Sequence, residues 1–201
     1  MNNITYFTFF ISTLAILNPL SKVPILLSLG EGHSEKKLKN IAFITAITVF
    51  IILIISLWIG SFLLKAFDIS IGAFTTAGGI IVFLIGLQLM QINLHSTPPK
   101  ISIRKESIAV VPLAIPLIAG PGTIATVILH EYHVQSILER LCLSLLCFIL
   151  ALIVWLCLHF ASFLNKNLGQ DILAIISRLM GLITSVIGVQ LANTGVHLLF
   201  P

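Results

Sequence analysis

The 201-residue chain is 58% hydrophobic and only 9% charged, with a formal net charge of +4 and a mean hydropathy of +1.12. A water-soluble domain needs roughly a quarter of its residues charged to cover its surface, so this composition excludes one. The pI of 9.2 does not indicate a nucleic-acid partner either, because the cations fall in short connectors and not on one folded face.

Six apolar runs of spanning length follow one another: residues 4–30, 41–64, 71–93, 108–130, 138–164 and 172–199. The expected fold class is all-α, a polytopic membrane protein with six transmembrane helices. The first run, opening "MNNITYFTFFISTLAIL", has no cation ahead of its apolar stretch, as a secretory signal would, and reads as a retained helix. It is broken at "LNPLSKVP" (17–24), where Asn18, Pro19, Lys22 and Pro24 interrupt an otherwise greasy segment. Proline at a first helical position loses only an N–H that was unpaired anyway, and Asn is among the best residues to cap such a start. Asn18-Pro19 therefore predicts a second half-helix beginning inside the first span.

Lys36, Lys37 and Lys39 fill the first loop, and Lys65 stands alone in the second. The third span carries Thr75, Thr76, Gly78, Gly79, Gly86 and Gln88. A linker at 94–107 with Lys100, Arg104 and Lys105 then divides the chain into residues 1–93 and 108–201. The fourth span is loosened by Pro112 and Pro116 and broken at "AGPGT" (119–123), and Arg140 follows it. The fifth holds Cys142, Cys147 and Cys157, read as small apolar helix residues, and Lys166 lies beyond it. Loops one, three and five thus carry seven cations against two in loops two and four, which predicts both termini outside the cell membrane.

Set 102 residues apart, "GGIIVFLIGLQLMQINLH" (78–95) and "MGLITSVIGVQLANTGVH" (180–197) share seven identities in the seventeen pairs from Gly79, among them Gly79/Gly181, Gly86/Gly188 and Gln88/Gln190. The same offset carries Pro19 onto Pro121. Each half then holds three spans, so the halves enter the membrane in opposite senses: two inverted three-helix repeats with spans one and four discontinuous. Paired interruptions of this kind mark the substrate site of secondary transporters. A half-helix N-terminus inside the bilayer offers unpaired N–H groups and partial positive charge, and the preceding half-helix offers free carbonyls. A small zwitterion satisfies both. The candidate substrate-binding residues are Asn18, Pro19, Leu20 and Ser21 with Gly120, Pro121, Gly122 and Thr123. The plainer alternative is a pair of packed proline kinks.

The candidate pathway residues are Lys22, Gln88, Gln190, Thr75 and Thr184, each with a competing structural role. Lys22 is either a counter-charge in the pathway or a snorkelling cation. The glutamines either line the cavity or bond across helices. Thr75, Thr76, Thr184 and Ser185 suit back-bonding to their own helices, and the glycines suit close packing. His130 and His133 lack further ligands, so no metal site is expected, and no cofactor. No Asp or Glu falls well inside a span, which argues against a midplane carboxylate relay. Hydrolase and phosphate-loop motifs are absent, so no enzyme is expected.

"ILNPLSKVPILLSL" and "VPLAIPLIAGPGTIATVI" together resemble the MarC family of six-span bacterial and archaeal inner-membrane proteins, through N-P-x-x-x-x-P (Asn18, Pro19, Pro24) and P-L-x-x-G-P-G (Pro116, Leu117, Gly120, Pro121, Gly122). Some members, the SnatA branch, are similar to transporters of glycine and alanine. The resemblance implies a small neutral amino acid as substrate; the partners expected of such a carrier are that substrate, a coupling proton or sodium ion and membrane lipid, with no nucleic acid. It points to Asn18, Pro19, Gly120, Pro121, Gly122 and Thr123; Ser21 stands where many members carry glycine. The sequence therefore predicts an alternating-access carrier in the inner membrane. The competing readings are a passive channel or exporter for small polar solutes and a non-transporting scaffold or stress protein.

Overall fold

The computed structural model describes residues 3–29, 34–90 and 118–200, and every element in them is helical. In chain order these are α1 (Asn3–Leu17), a 3-10 turn (Pro19–Lys22), α2 (Val23–Leu29), α3 (Glu35–Ala66), α4 (Ile71–Leu89), α5 (Pro121–Tyr132), α6 (Ile137–His159) and α7 (Ala161–Leu199). Five stretches are long and apolar enough to cross a membrane: Thr5–Leu27, Glu35–Ala66, Ile71–Leu89, Ile137–His159 and Asp171–Leu199. The linker at 94–107 and the start of the expected fourth span, with Pro112 and Pro116, lie outside the described residues; α5 is the part of that span that is described.

Local chemistry sets the boundaries. Ser70 caps α4 by accepting from the Ala73 N–H (3.2 Å), and Ser136 caps α6 by accepting from the Glu139 N–H (3.3 Å). Two boundaries differ from the sequence expectation. Helix α3 begins at Glu35, so Lys36, Lys37 and Lys39 lie on its first turns and not in a loop. Helix α6 ends at His159, five residues before the expected end at 164. The chain then makes a short helical stretch up to Gly169, whose φ of 74° breaks α7 before its spanning part. Glycine adopts that angle without strain.

The most extensive helix contact is between α4 and α7, which run antiparallel. A Cβ on Gly79 would fall 2.7 Å from the Gly188 carbonyl oxygen, and one on Gly86 would fall 2.7 Å from that of Gly181. The neighbours obey the same arithmetic: Gly79 meets Ala192 and Gly181 meets Met90, while Gly188 meets Phe83 and Gly86 meets Ser185. Each contact becomes its counterpart when 102 is added to one residue and subtracted from the other. Without side chains at the crossing, the two backbones approach far enough for dispersion contacts to hold them where water cannot drive association.

Phe9, Leu17, Val49, Leu53, Leu143 and Leu150 belong to the main buried cluster, which joins α1, α3 and α6. Outside it the surface is greasy: Phe62 is 71% exposed and Leu138 68%. A bilayer is the solvent that suits such a surface, since lipid has no water to lose.

Candidate functional site

Helix α1 stops at Leu17 because the next residue leaves helical space. Asn18 has φ 40° and ψ 63°, the left-handed conformation that Asn tolerates better than most side chains. Its own N–H still reaches back to the Leu14 carbonyl (2.9 Å), but the chain then turns into the 3-10 segment before α2 begins. The expected side-chain cap does not form: Asn18 makes no capping hydrogen bond. The amide is 1% exposed, and neither Nδ2 nor Oδ1 has a partner. Ser21 Oγ instead closes the turn by donating to the Asn18 carbonyl (2.9 Å). Pro19 is buried and Leu20 half-buried.

The second break is built differently. Gly120 is extended (φ −85°, ψ −179°) and Pro121 opens α5, whose first backbone bond runs from the Ile124 N–H to the Gly120 carbonyl (3.2 Å). Proline has no N–H, so Gly122 and Thr123 carry the free donors of this helix start. Gly120, Gly122 and Thr123 are buried, whereas Pro121 is exposed. Thr123 Oγ1 donates back across the break to the Ile118 carbonyl (3.4 Å).

Helices α1 and α5 pack antiparallel. Phe9 stacks edge-on against His130 (5.2 Å), and Ile16 shares a buried cluster with Val82 and Ala125. Val82 in turn occupies the space a Gly122 side chain would need. The last turn of α1 therefore faces the first turn of α5. One end presents carbonyls, the other N–H groups, with the Asn18 amide between them in sequence. Thr184 of α7 takes one of those carbonyls, donating to Ala15 (3.2 Å) as well as to Met180 (2.7 Å). Thr13 Oγ1, fully buried on α1, has no partner.

Lys22 is buried. It is 5% exposed, and among the described residues no carboxylate or hydrogen-bond acceptor pairs with it. An unpaired buried cation is costly and wants a counter-ion. Thr75 is buried on α4, whereas Gln88 and Gln190 are both exposed on the outer faces of α4 and α7, away from the two breaks. Thr76 and Ser185 bond back to the carbonyls of Gly72 (2.8 Å) and Gly181 (3.0 Å). His130 is engaged with the Thr126 carbonyl (2.8 Å).

One polar cluster escaped the sequence reading, which left Glu131 and Arg140 at loop positions. Glu131 ends α5 facing inward, its side chain 8% exposed, paired with Arg140 of α6 and accepting from Ser61 of α3. The Arg140 guanidinium lies 5.4 Å from the Trp58 ring centroid, and Trp58 Nε1 donates to Ser144 (3.1 Å). Three helices are tied at this end of the bundle. Removing the cation leaves a buried carboxylate with one hydroxyl, so Arg140→Ala is expected to cost about 2–3 kcal/mol. Glu131→Gln, which keeps the shape and leaves only the partly exposed Arg140 cation without its partner, should cost less, and combining it with Arg140→Ala should recover part of the loss. Unfolding midpoints of the three variants in detergent check the order.

Comparisons with known proteins agree on the whole length of the chain. The model of the MarC family of integral membrane proteins matches residues 4–200. The chain is similar to the UPF0056 membrane protein YvbG of Bacillus subtilis, 38% identical over 96% of this chain and 94% of that protein. It is also similar to the UPF0056 membrane protein BU267 of Buchnera aphidicola, 34% identical over 98% and 94%. An archaeal relative, the UPF0056 membrane protein MJ1677 of Methanocaldococcus jannaschii, is 33% identical over 94% of each chain. No solved structure matches.

Proposed function

This chain belongs to the MarC family of integral membrane proteins, and on that footing we propose that it is a secondary transporter of small neutral amino acids such as glycine and alanine, working by alternating access. The observation that carries the reading is the Asn18 amide, enclosed to 1% exposure with both polar atoms unbonded at the point where two helix ends meet. A buried amide left unpaired costs about 1–3 kcal/mol, and a ligand that bonds it recovers that cost.

The substrate carboxylate rests on the N–H groups of Gly122 and Thr123 at the positive end of α5, with Lys22 as the counter-charge of the pathway. Its ammonium group takes carbonyls from the last turn of α1, and Asn18 bridges the two. Pro19, Leu20, Ser21, Gly120 and Pro121 shape the backbone around it. Val82 closes the space beside Gly122, which restricts the substrate to a small side chain.

The architecture behind this is six spans in two inverted three-helix repeats, with spans one and four discontinuous. The glycine contacts of α4 and α7, which exchange under a shift of 102, support the repeat. The bias of cations toward loops one, three and five supports an inner-membrane orientation with both termini outside. The protein acts as a carrier and not as an enzyme, and a proton or sodium gradient drives it.

Uptake of labelled glycine into proteoliposomes, with each gradient imposed in turn, tests the reading. Saturable uptake that one gradient drives above equilibrium is the expected result. Equilibration without accumulation would establish a channel instead, and no saturable uptake of glycine, alanine or serine would overturn transport of this class.

A further inference from the structure

A long groove runs down the outer face of the bundle between α3 and α6, away from the two breaks. Its wide end, a cavity of about 580 Å³, is lined by Lys36, Lys37, Lys39, Asn40, Trp155 and His159, among others. It continues into a cavity of about 290 Å³ lined only by apolar side chains, with Phe43 and Trp155 belonging to both. The lining alternates at helical spacing, Phe43, Ala46, Ile47 and Phe50 from α3 facing Phe148, Leu152 and Trp155 from α6. Phe50 and Phe148 close the far end edge-to-face (5.8 Å).

We propose that this groove is a binding site for one anionic glycerophospholipid, with its phosphodiester on the lysines of α3 and one acyl chain laid along the apolar part. Charge complementarity selects the occupant. Three lysines converge on the wide end, among the described residues none of them is in an ion pair, and Glu35 is the one acidic side chain alongside. His159 adds a polar contact at the junction: its ring stacks on Trp155 (4.9 Å), and its Nδ1 is buried without a partner. The dimensions suit a lipid. From Phe43 to Phe50 the helix rises about 10 Å, roughly two thirds of one leaflet of a hydrocarbon core about 30 Å thick, so the apolar part takes up most of the depth of that leaflet. Soluble anions have no use for that length of greasy wall, and a basic mouth over it matches the chemistry of anionic headgroups at a membrane surface.

Native mass spectrometry of the full chain, with dioleoyl phosphatidylglycerol or dioleoyl phosphatidylcholine added, tests this because the two lipids share their acyl chains. Phosphatidylglycerol is expected to be retained about tenfold more tightly. Replacing Lys36, Lys37 and Lys39 together by glutamine should bring the two lipids within twofold, whereas Lys65→Gln, at the other end of α3, should leave the preference intact. Trp155→Ala should weaken retention of both lipids alike, which reads the apolar half independently of the lysines. Equal retention of the two lipids by the unaltered chain would overturn the proposal. So would displacement by millimolar glycerol phosphate, which marks a plain anion site, or loss of the preference on concentration-dependent dimerisation, which marks the groove as an interface between two copies.

Discussion

Replacing Asn18 by glycine is expected to reduce saturable uptake at least tenfold while leaving the unfolding midpoint where it was or slightly above. The separation follows from what the residue does and does not touch. Its backbone sits at φ 40°, which glycine adopts without strain, so the turn between α1 and α2 keeps its shape. Its amide makes no hydrogen bond within the protein, so none is lost. Relief of a buried unpaired amide is worth about 1–3 kcal/mol, and the small cavity and the extra chain entropy of glycine offset roughly that amount. A hydrogen bond to a charged substrate is worth about 1.5–3 kcal/mol, which is roughly ten- to 150-fold in binding. Asn18→Ala is the harsher variant, because alanine keeps the Cβ that the left-handed region penalises by about 1–2 kcal/mol and lacks the short polar side chain that lets asparagine tolerate it. Uptake and melting must be measured on the same preparations. If the glycine variant melts well below the parent, Asn18 holds the fold together; if it transports normally, the amide is not where substrate binds.

How much of this was visible beforehand divides along one physical line. Five of the six apolar runs, the end of α1 at Leu17 and the start of α5 at Pro121 were legible, because length, hydropathy and proline chemistry act locally. The orientations of Asn18 and Lys22 were not. Helical spacing predicts which way a side chain points only while the helix continues, and the left-handed residue and 3-10 turn reset the phase between Leu17 and Val23. Counting residues to the interface therefore sends Lys22 outward, when the turn encloses it. The glutamines were misleading for a different reason. Gly79, Val82 and Gly86 mark the inward face of α4, and Gln88, two residues past Gly86, lies about 200° around the helix from it. The glycine spacing held that information, but pairing by sequence identity weighted polarity instead. Glu131 and Arg140 were hidden because their meeting depends on how α5 and α6 pack against α3, which no local pattern encodes.

The crossing of α4 and α7 should be the least tolerant place in the molecule. A methyl group on Gly79 would fall 2.7 Å from both the Ala192 Cα and the Gly188 carbonyl oxygen, and one on Gly188 would fall 2.8 Å from the Phe83 Cα and the Gly79 carbonyl. These are backbone atoms, which cannot rotate aside, so the helices must separate along their length. Overpacking of this sort costs about 1–3 kcal/mol, and Gly79→Ala and Gly188→Ala belong at the upper end of that range. At the counterpart position Gly181 faces the Gly86 carbonyl oxygen and the Leu89 Cβ, both at 2.8 Å, and only the Met90 side chain (3.1 Å) can give way, but no atom comes as near as the Ala192 backbone nitrogen comes to Gly79. Gly181→Ala should therefore cost less than Gly79→Ala, although the two glycines are equivalent by sequence. The double variant Gly79→Ala, Gly188→Ala should cost clearly less than the sum of the two singles, because helices already parted by the first methyl admit the second. Unfolding midpoints of the four proteins, read against the parent, decide it. Additive losses would mean that the two glycines do not share one contact, and equal losses at Gly79 and Gly181 would mean that backbone proximity is not what makes this crossing rigid.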